Sequence, residues 1–175
     1  GIRDDVQYFR PFYNVQQIEV LRGPNALLFG RGGGGGVVNR VQKTAQVGEN
    51  FTSFNGGVDT FSAYTGGIDA NLSLTDDVAL RINGYYEGLD NHRDFFDGER
   101  YAVNPTLTAL FGEATRLTAS YEYVNDDRIV DRGVPSRRVE DGPNTPLTGY
   151  DDTFFGAPGG NDTTLEAHIL RARIE

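Results

Sequence analysis

The side chains that usually carry catalysis or hold metal are few in this chain, and their spacing suits neither task. His92 and His168 stand far apart without an H-x-x-x-H companion, and cysteine is absent, so zinc and thiol chemistry lack ligands. Asp126-Asp127 and Asp151-Asp152 lack the spacing of a calcium loop and read as turn or solvated carboxylates. No serine, histidine and aspartate share a nucleophile context, and no two carboxylates are spaced for acid–base work. No enzyme, no catalytic residue, no metal site and no covalent cofactor are therefore expected. Gly30, Gly32 and Gly35 formally satisfy G-x-G-x-x-G, but Val37 to Val41 are strand-like where that fingerprint must open a helix. Arginines remain. Arg128, Arg132, Arg137 and Arg138 surround Asp131 in a locally basic stretch, followed by Glu140, Asp141, Asp151, Asp152 and Asp162. Such a stretch either attracts an anionic chelate by charge-assisted hydrogen bonds or stands solvated.

Composition narrows the partners. The 175 residues carry 16 basic and 25 acidic side chains, a net charge of -9, which argues against nucleic acid. Charge is uneven: Gly1 to Lys43 holds Arg3, Arg10, Arg22, Arg31, Arg40 and Lys43 against Asp4, Asp5 and Glu19, whereas the remainder is strongly acidic. A composition boundary thus falls near Thr44 to Glu49. No apolar run is long enough to cross a bilayer as a helix. A membrane β-barrel stays open, because alternation keeps mean hydropathy low, here -0.45, while one face is greasy. The chain opens at Gly1, contains no methionine and stops at Ile174-Glu175 in mid-pattern, so a longer parent is expected.

The elements that would position these residues change character along the chain. Val15 to Leu21 is rich in β-formers, Arg22-Gly23-Pro24 breaks it, and Asn25 to Phe29 suits one helical turn capped by Gly30. Gly32 to Gly36 must be loop, and Val37 to Val41 resumes as a strand. From Phe51 onward the period is two: Ile68, Ala70, Leu72 and Leu74 alternate with polar residues, as do Val78 to Glu87, Val103 to Phe111 and Leu117 to Tyr123, and Leu165 to Glu175 begins another strand. Tight turns at Thr75-Asp76-Asp77 and Gly112 to Thr115 alternate with long connections, Leu89 to Arg100 and Arg128 to Thr163, with Asp59 to Ser62 a short exception. Outer-membrane barrels show this asymmetry of short periplasmic turns and long outer loops. Val78 to Gly88 and Arg116 to Asn125 would then run outward and Tyr101 to Phe111 inward, with Tyr85, Tyr86, Tyr121 and Tyr123 in an aromatic girdle. Sandwiches and lipocalin-like barrels show the same alternation, but a connection as long as Arg128 to Thr163 exceeds the roughly 12 to 15 residues usual in a compact domain.

One segment is more specific. Val15 to Lys43 reads Val-Gln-Gln-Ile-Glu-Val-Leu-Arg-Gly-Pro-Asn-Ala-Leu-Leu-Phe-Gly-Arg-Gly, then the glycine run, then Val-Val-Asn-Arg-Val-Gln-Lys. It resembles the end of the plug domain of TonB-dependent receptors, above all siderophore receptors, with Glu19, Arg22, Gly23, Pro24, Gly30, Gly35, Gly36, Asn39 and Lys43 in place. Asp4 to Asn14, with Tyr8 and Arg10, also resembles that plug, and Asp131 to Ser136 and Phe154-Phe155-Gly156 resemble an outer loop of those receptors. Five consecutive glycines stand where the family has two or three.

The resemblance implies a mainly β chain: residues 1–47 as the C-terminal part of a small α+β plug domain, and 48–175 as the first strands and outer loops of an antiparallel transmembrane β-barrel of about 22 strands. It implies TonB-dependent import of a ferric siderophore across the outer membrane of a Gram-negative bacterium. The partners would be the siderophore, membrane lipid and the TonB complex, whose contact segment is not in this sequence. Arg22 would pair with barrel glutamates to hold the plug, with Glu19 as a local alternative partner for Arg22 or Arg40, while the glycines let the plug backbone pack closely. Tyr8, Arg10, Arg128 and Arg132 would face the ligand. Receptors for cobalamin, haem or an oligosaccharide are the nearer alternative, and a soluble β-rich binding module the farther one.

Overall fold

The computed structural model describes residues 9–23, 35–139 and 142–175. Tyr8, Pro24, Gly30, the helical turn expected over Asn25 to Phe29, most of the glycine run, Glu140 and Asp141 lie outside the described residues.

The β-formers on either side of the glycine run pair as expected: β1 (Val15–Arg22) and β2 (Gly36–Gln42) form a two-stranded antiparallel sheet. At its closed end Arg22 lies opposite Gly36, and Gly36 has φ +137°, a conformation that side-chain-bearing residues rarely adopt. A Cβ there would also collide with the Leu21 carbonyl oxygen. Gly36→Ala is therefore expected to destabilise the hairpin by about 1–3 kcal/mol, read as faster hydrogen exchange at the β1 and β2 amides.

The remaining long strands make one antiparallel sheet in the order β10-β7-β6-β5-β4-β3. They are β3 (Phe51–Val58), β4 (Tyr64–Ser73), β5 (Val78–Asp90), β6 (Asp97–Phe111), β7 (Thr115–Ile129) and β10 (Asp162–Ile174). A small ladder of β8 (Ser136–Arg137) and β9 (Thr145–Pro146) sits within the connection between β7 and β10. Turns β4–β5 and β6–β7 are tight. In the first, Leu74 and Thr75 donate to the Val78 carbonyl, and the Thr75 hydroxyl oxygen accepts the Asp77 and Val78 amides. The three other connections lie at the opposite end of the sheet.

β5 and β6 run farther than alternation indicates. Pairing continues through Gly88, Leu89 and Asp90 against Glu99, Gly98 and Asp97, which leaves only 91–96 as loop where Leu89 to Arg100 was expected. Above the apolar layer both faces meet water, so the period-two signal fades while the hydrogen-bond ladder does not. β5, β6, β7 and β10 have 13, 15, 15 and 13 residues, more than the ~9–11 needed to cross a bilayer core.

The sheet is inverted relative to a soluble one. Its buried face is polar, with Asn71, Arg81, Asn83, Arg100, Asn104, Thr106, Thr108, Glu122 and Asp126 all below a tenth exposed. Its other face is apolar and open: Phe54 is 76% exposed, Leu170 79% and Leu72 54%, and Ile68, Ile82, Val103 and Leu107 are exposed beside them. Sandwiches and lipocalins keep their apolar face inside, and a soluble monomer rarely shows a continuous apolar sheet face. Lipid satisfies it. Tyrosines cap the outward face: Tyr64 stacks on Tyr86 with ring centroids 5.9 Å apart, and Tyr101 lies 6.0 Å from Tyr123. Glu99 accepts the Tyr86 hydroxyl at 2.9 Å. The girdle expected at Tyr85, Tyr86, Tyr121 and Tyr123 needs one correction. Tyr85 has the parity of Arg81 and Asn83 and points inward, where its ring stacks 5.9 Å from Tyr13.

Candidate functional site

What buries the polar face is the chain itself. The segments on either side of the β1–β2 sheet, at Tyr13-Asn14 and from Gln42 to Glu49, lie along the inner side of β4 to β7, where two carboxylates of the wall hold them.

Asp69 on β4 is the first. It accepts Arg81 of β5 through both oxygens at 2.7 Å, and its Oδ2 lies 2.9 Å from Lys43 Nζ. Lys43 also donates to the Tyr13 carbonyl at 2.8 Å, and Arg81 Nη1 to the Thr44 carbonyl at 3.1 Å. The Arg81 guanidinium thus bridges wall and segment, with its side chain only 5% exposed and its plane 5.1 Å from the Phe51 ring centre. Arg81 suits this place because its fork serves a bidentate carboxylate and a carbonyl together, which an ammonium cannot. Below it Asn71 donates to the carbonyls of Gln46 and Glu49 and accepts the Gln46 amide, so one buried side chain serves the backbone of the crossing segment.

Glu122 on β7 is the second. Its Oε1 accepts Asn14 at 3.0 Å, and its Oε2 accepts Gln42 at 3.3 Å and Arg171 of β10 at 2.9 Å. Asn14, 1% exposed, also donates to Asn104 of β6. The bonds from Asn14, Gln42 and Arg171 to Glu122 each meet a carboxylate oxygen. Glu122→Gln would turn an amide donor toward donors and leave one of them buried without an acceptor, an expected loss of about 1–3 kcal/mol. Chemical denaturation of the purified protein in detergent measures it.

Nearer the outer end Arg100 pairs with Asp126 at 2.9 Å and Glu87 at 3.1 Å, and Arg128 joins Asp126 at 3.1 Å. The Arg128 guanidinium lies 4.5 Å from the Phe9 ring centre. Arg10, beside Phe9, lines an open surface groove with Phe12, Ile18, Val38 and Arg40. Of the residues expected to face a ligand, the structure thus brings Arg128 to the 9–10 segment and leaves Arg132 exposed on the outer connection. Of the motif residues, Glu19 and Asn39 face each other across the β1–β2 register, with Asn39 donating to Glu19 at 2.7 Å and Gln17 doing so at 3.1 Å. Gly23 donates to the Gly35 carbonyl at 3.4 Å.

Sequence reasoning missed the residues that join segment to wall. Asp69, Arg81 and Glu122 stand in strands as ordinary members of a wet face, and Asn14 ends the plug-like Asp4 to Asn14 segment with nothing to single it out. The one usable signal was Lys43, the only lysine, placed where the charge balance reverses.

The β1–β2 sheet is thus held, through the segments flanking it, to the polar inner face of a sheet whose apolar face is open. Residues 1–37 match the family described as TonB-dependent Receptor Plug Domain. The probable TonB-dependent receptor BfrD of Bordetella pertussis is 31% identical over 150 residues, covering 85% of this chain and 20% of that protein. The chain belongs to the TonB-dependent receptors. A second relative of this receptor chain, the metal-pseudopaline receptor CntO of Pseudomonas aeruginosa, is 31% identical over 159 residues, 89% of the chain and 22% of the relative. Among solved structures, the open form of the ferric-catecholate import receptor Fiu of E. coli K12 superposes with a TM-score of 0.70 at 30% identity, covering 77% of this chain and 20% of that one. The receptor chain therefore spans about a fifth of the length of the curated relatives it matches.

Proposed function

We propose that the receptor containing this chain imports a ferric siderophore across the outer membrane in a TonB-dependent manner, with 1–47 closing the plug and 48–175 opening the barrel. The observation that carries this reading is the inverted sheet with a plug segment clamped to its polar face: a wall that faces lipid outside and holds a removable stopper inside. The likeness to Fiu, a ferric-catecholate import receptor, supports the cargo class. The wall would be completed by strands pairing with the edges of β3 and β10, since lipid cannot satisfy a free strand edge.

Ligand would be met by the plug apex, with Tyr8 and Arg10, and by the outer connections bearing Arg128 and Arg132. Arg22 is read as the plug arginine paired with glutamates of later strands. Binding must favour one plug state over the other, because a ligand with equal affinity for both shifts nothing. Nothing in this process is hydrolysed by the receptor; the energy would arrive through TonB.

The likeness to a metal-pseudopaline receptor favours a second reading, in which the cargo is a different metal chelate. Both are tested together. The receptor at its natural length is expressed in an iron-starved, receptor-deficient bacterium, and uptake of radioactive iron from a panel of ferric siderophores is followed with and without TonB. Uptake that requires TonB supports the first reading and names the cargo. Absence of uptake from every siderophore, with the protein in the outer membrane, moves the reading to another cargo.

A further inference from the structure

The two outer connections on either side of β6 are tied to each other. Arg93 Nε, on the β5–β6 connection, meets Asp131 Oδ2, just beyond β7, at 2.8 Å, with side chains only 14% and 11% exposed. Arg93 Nη1 reaches farther along the long connection to the Thr153 carbonyl at 3.2 Å, and the Asp94 amide donates to the Asp152 carbonyl at 2.9 Å. The remaining oxygen of Asp131 accepts the Gly133 amide at 2.8 Å, which fixes the carboxylate. Phe95 follows at φ +61°, a conformation disfavoured for a bulky residue, and its ring centroid lies 6.2 Å from that of Phe154. One guanidinium therefore ties together two points, residues 131 and 153, of a connection that runs from Val130 to Asn161.

We infer that Arg93 and Asp131 form a clasp that presets the 91–96 and 130–161 connections as one surface before cargo arrives. Both are thus positioning residues for ligand binding. The inference rests on the reading of these connections as the cargo-facing side. An exposed ion pair would do little, but this one is largely withdrawn from water, and its guanidinium also serves a backbone carbonyl. A connection of this length left free would have to be ordered by the ligand, and that ordering opposes binding. The clasp removes that opposition, so its loss appears in the concentration of cargo needed for half-maximal uptake, not in the maximal rate. Lysine replaces Arg93 poorly, since its compact ammonium lacks the planar fork that reaches the Asp131 carboxylate with one nitrogen and the Thr153 carbonyl with another.

The test uses whole cells carrying the receptor at its natural length, with Arg93→Ala, Asp131→Ala and the exchanged pair Arg93→Asp with Asp131→Arg. Two quantities are measured: cleavage by external chymotrypsin at Tyr150, Phe154 and Phe155, and the concentration dependence of iron uptake from the siderophore that the wild type accepts. Each alanine variant is expected to be cleaved faster and to need roughly tenfold more cargo at half-maximal uptake with an unchanged maximal rate, the exchanged pair recovering part of both. Unchanged cleavage overturns the clasp. Faster cleavage with unchanged half-saturation overturns the positioning role. Should the wild type take up no siderophore, the cargo reading fails by itself, and the cleavage rates still decide for or against the clasp.

Discussion

Replacing Asp69 with alanine is expected to release the 42–49 segment from the wall and to leave the outer membrane leaky around a loosened plug. The carboxylate neutralises two cations, Arg81 at 2.7 Å and Lys43 at 2.9 Å, and all three side chains are at most a fifth exposed. Without Asp69 the guanidinium and ammonium repel each other in a space largely withdrawn from water. Removing one partner of a buried ion pair costs about 3–5 kcal/mol because the charge left behind stays unpaired. Asp69→Asn should be nearly as damaging, since it keeps the shape but not the charge. The measurement is entry of a large antibiotic normally excluded by the outer membrane, together with protease sensitivity of the plug in detergent. A membrane as tight as that of the wild type, with an equally resistant plug, would show that Asp69 does not anchor the segment. Lys43→Ala is the informative partner variant: it removes one of the two repelling cations, so combined with Asp69→Ala it should restore part of the loss.

Leu107→Arg is expected to block insertion of the barrel or destabilise it by about 2–4 kcal/mol, the cost of a guanidinium on the lipid face near the bilayer midplane. Leu107 lies on the outward face of β6, opposite Leu80 on β5 and Ala119 on β7, inside the band bounded by the tyrosines. The neighbouring Thr106, one residue away and 1% exposed, points the other way, toward the plug. Thr106→Val should leave insertion intact and act only on plug docking. Heat-modifiable migration on a gel and recovery in the outer-membrane fraction separate the two. If both variants insert equally well, the outward face of β6 does not meet lipid, and the orientation of the sheet is reversed.

Much of the architecture was legible in the sequence because face alternation is local stereochemistry. Ile68 and Leu72, Leu80 and Ile82, and Val103 and Leu107 fall on one face by counting in twos, and the structure places them there. The two strands on either side of the glycine run were legible as well, since the β-formers of Val15 to Leu21 and Val37 to Val41 pair as β1 and β2. Strand ends were not. Above the lipid layer the alternation has no cause, and Leu89, Asp90, Asp97 and Gly98 pair as strand although no alternation marks them. Tyr85 shows the same limit from the other side. Its residue type suggested the girdle, but its parity sends it inward onto Tyr13.

The sequence by itself determined the class of this protein: an alternating chain with one greasy face, headed by a plug motif. Only the tertiary structure decided which polar residues matter. Asn14 and Glu122 are 108 residues apart and Asn14 and Asn104 are 90 apart, yet they form one hydrogen-bonded junction; Arg93 and Thr153 are 60 apart and share another. Period two assigns a residue to a face, but not to a partner. Partners depend on how six strands are staggered and where the segment crosses them, and those are long-range quantities that no local spacing encodes.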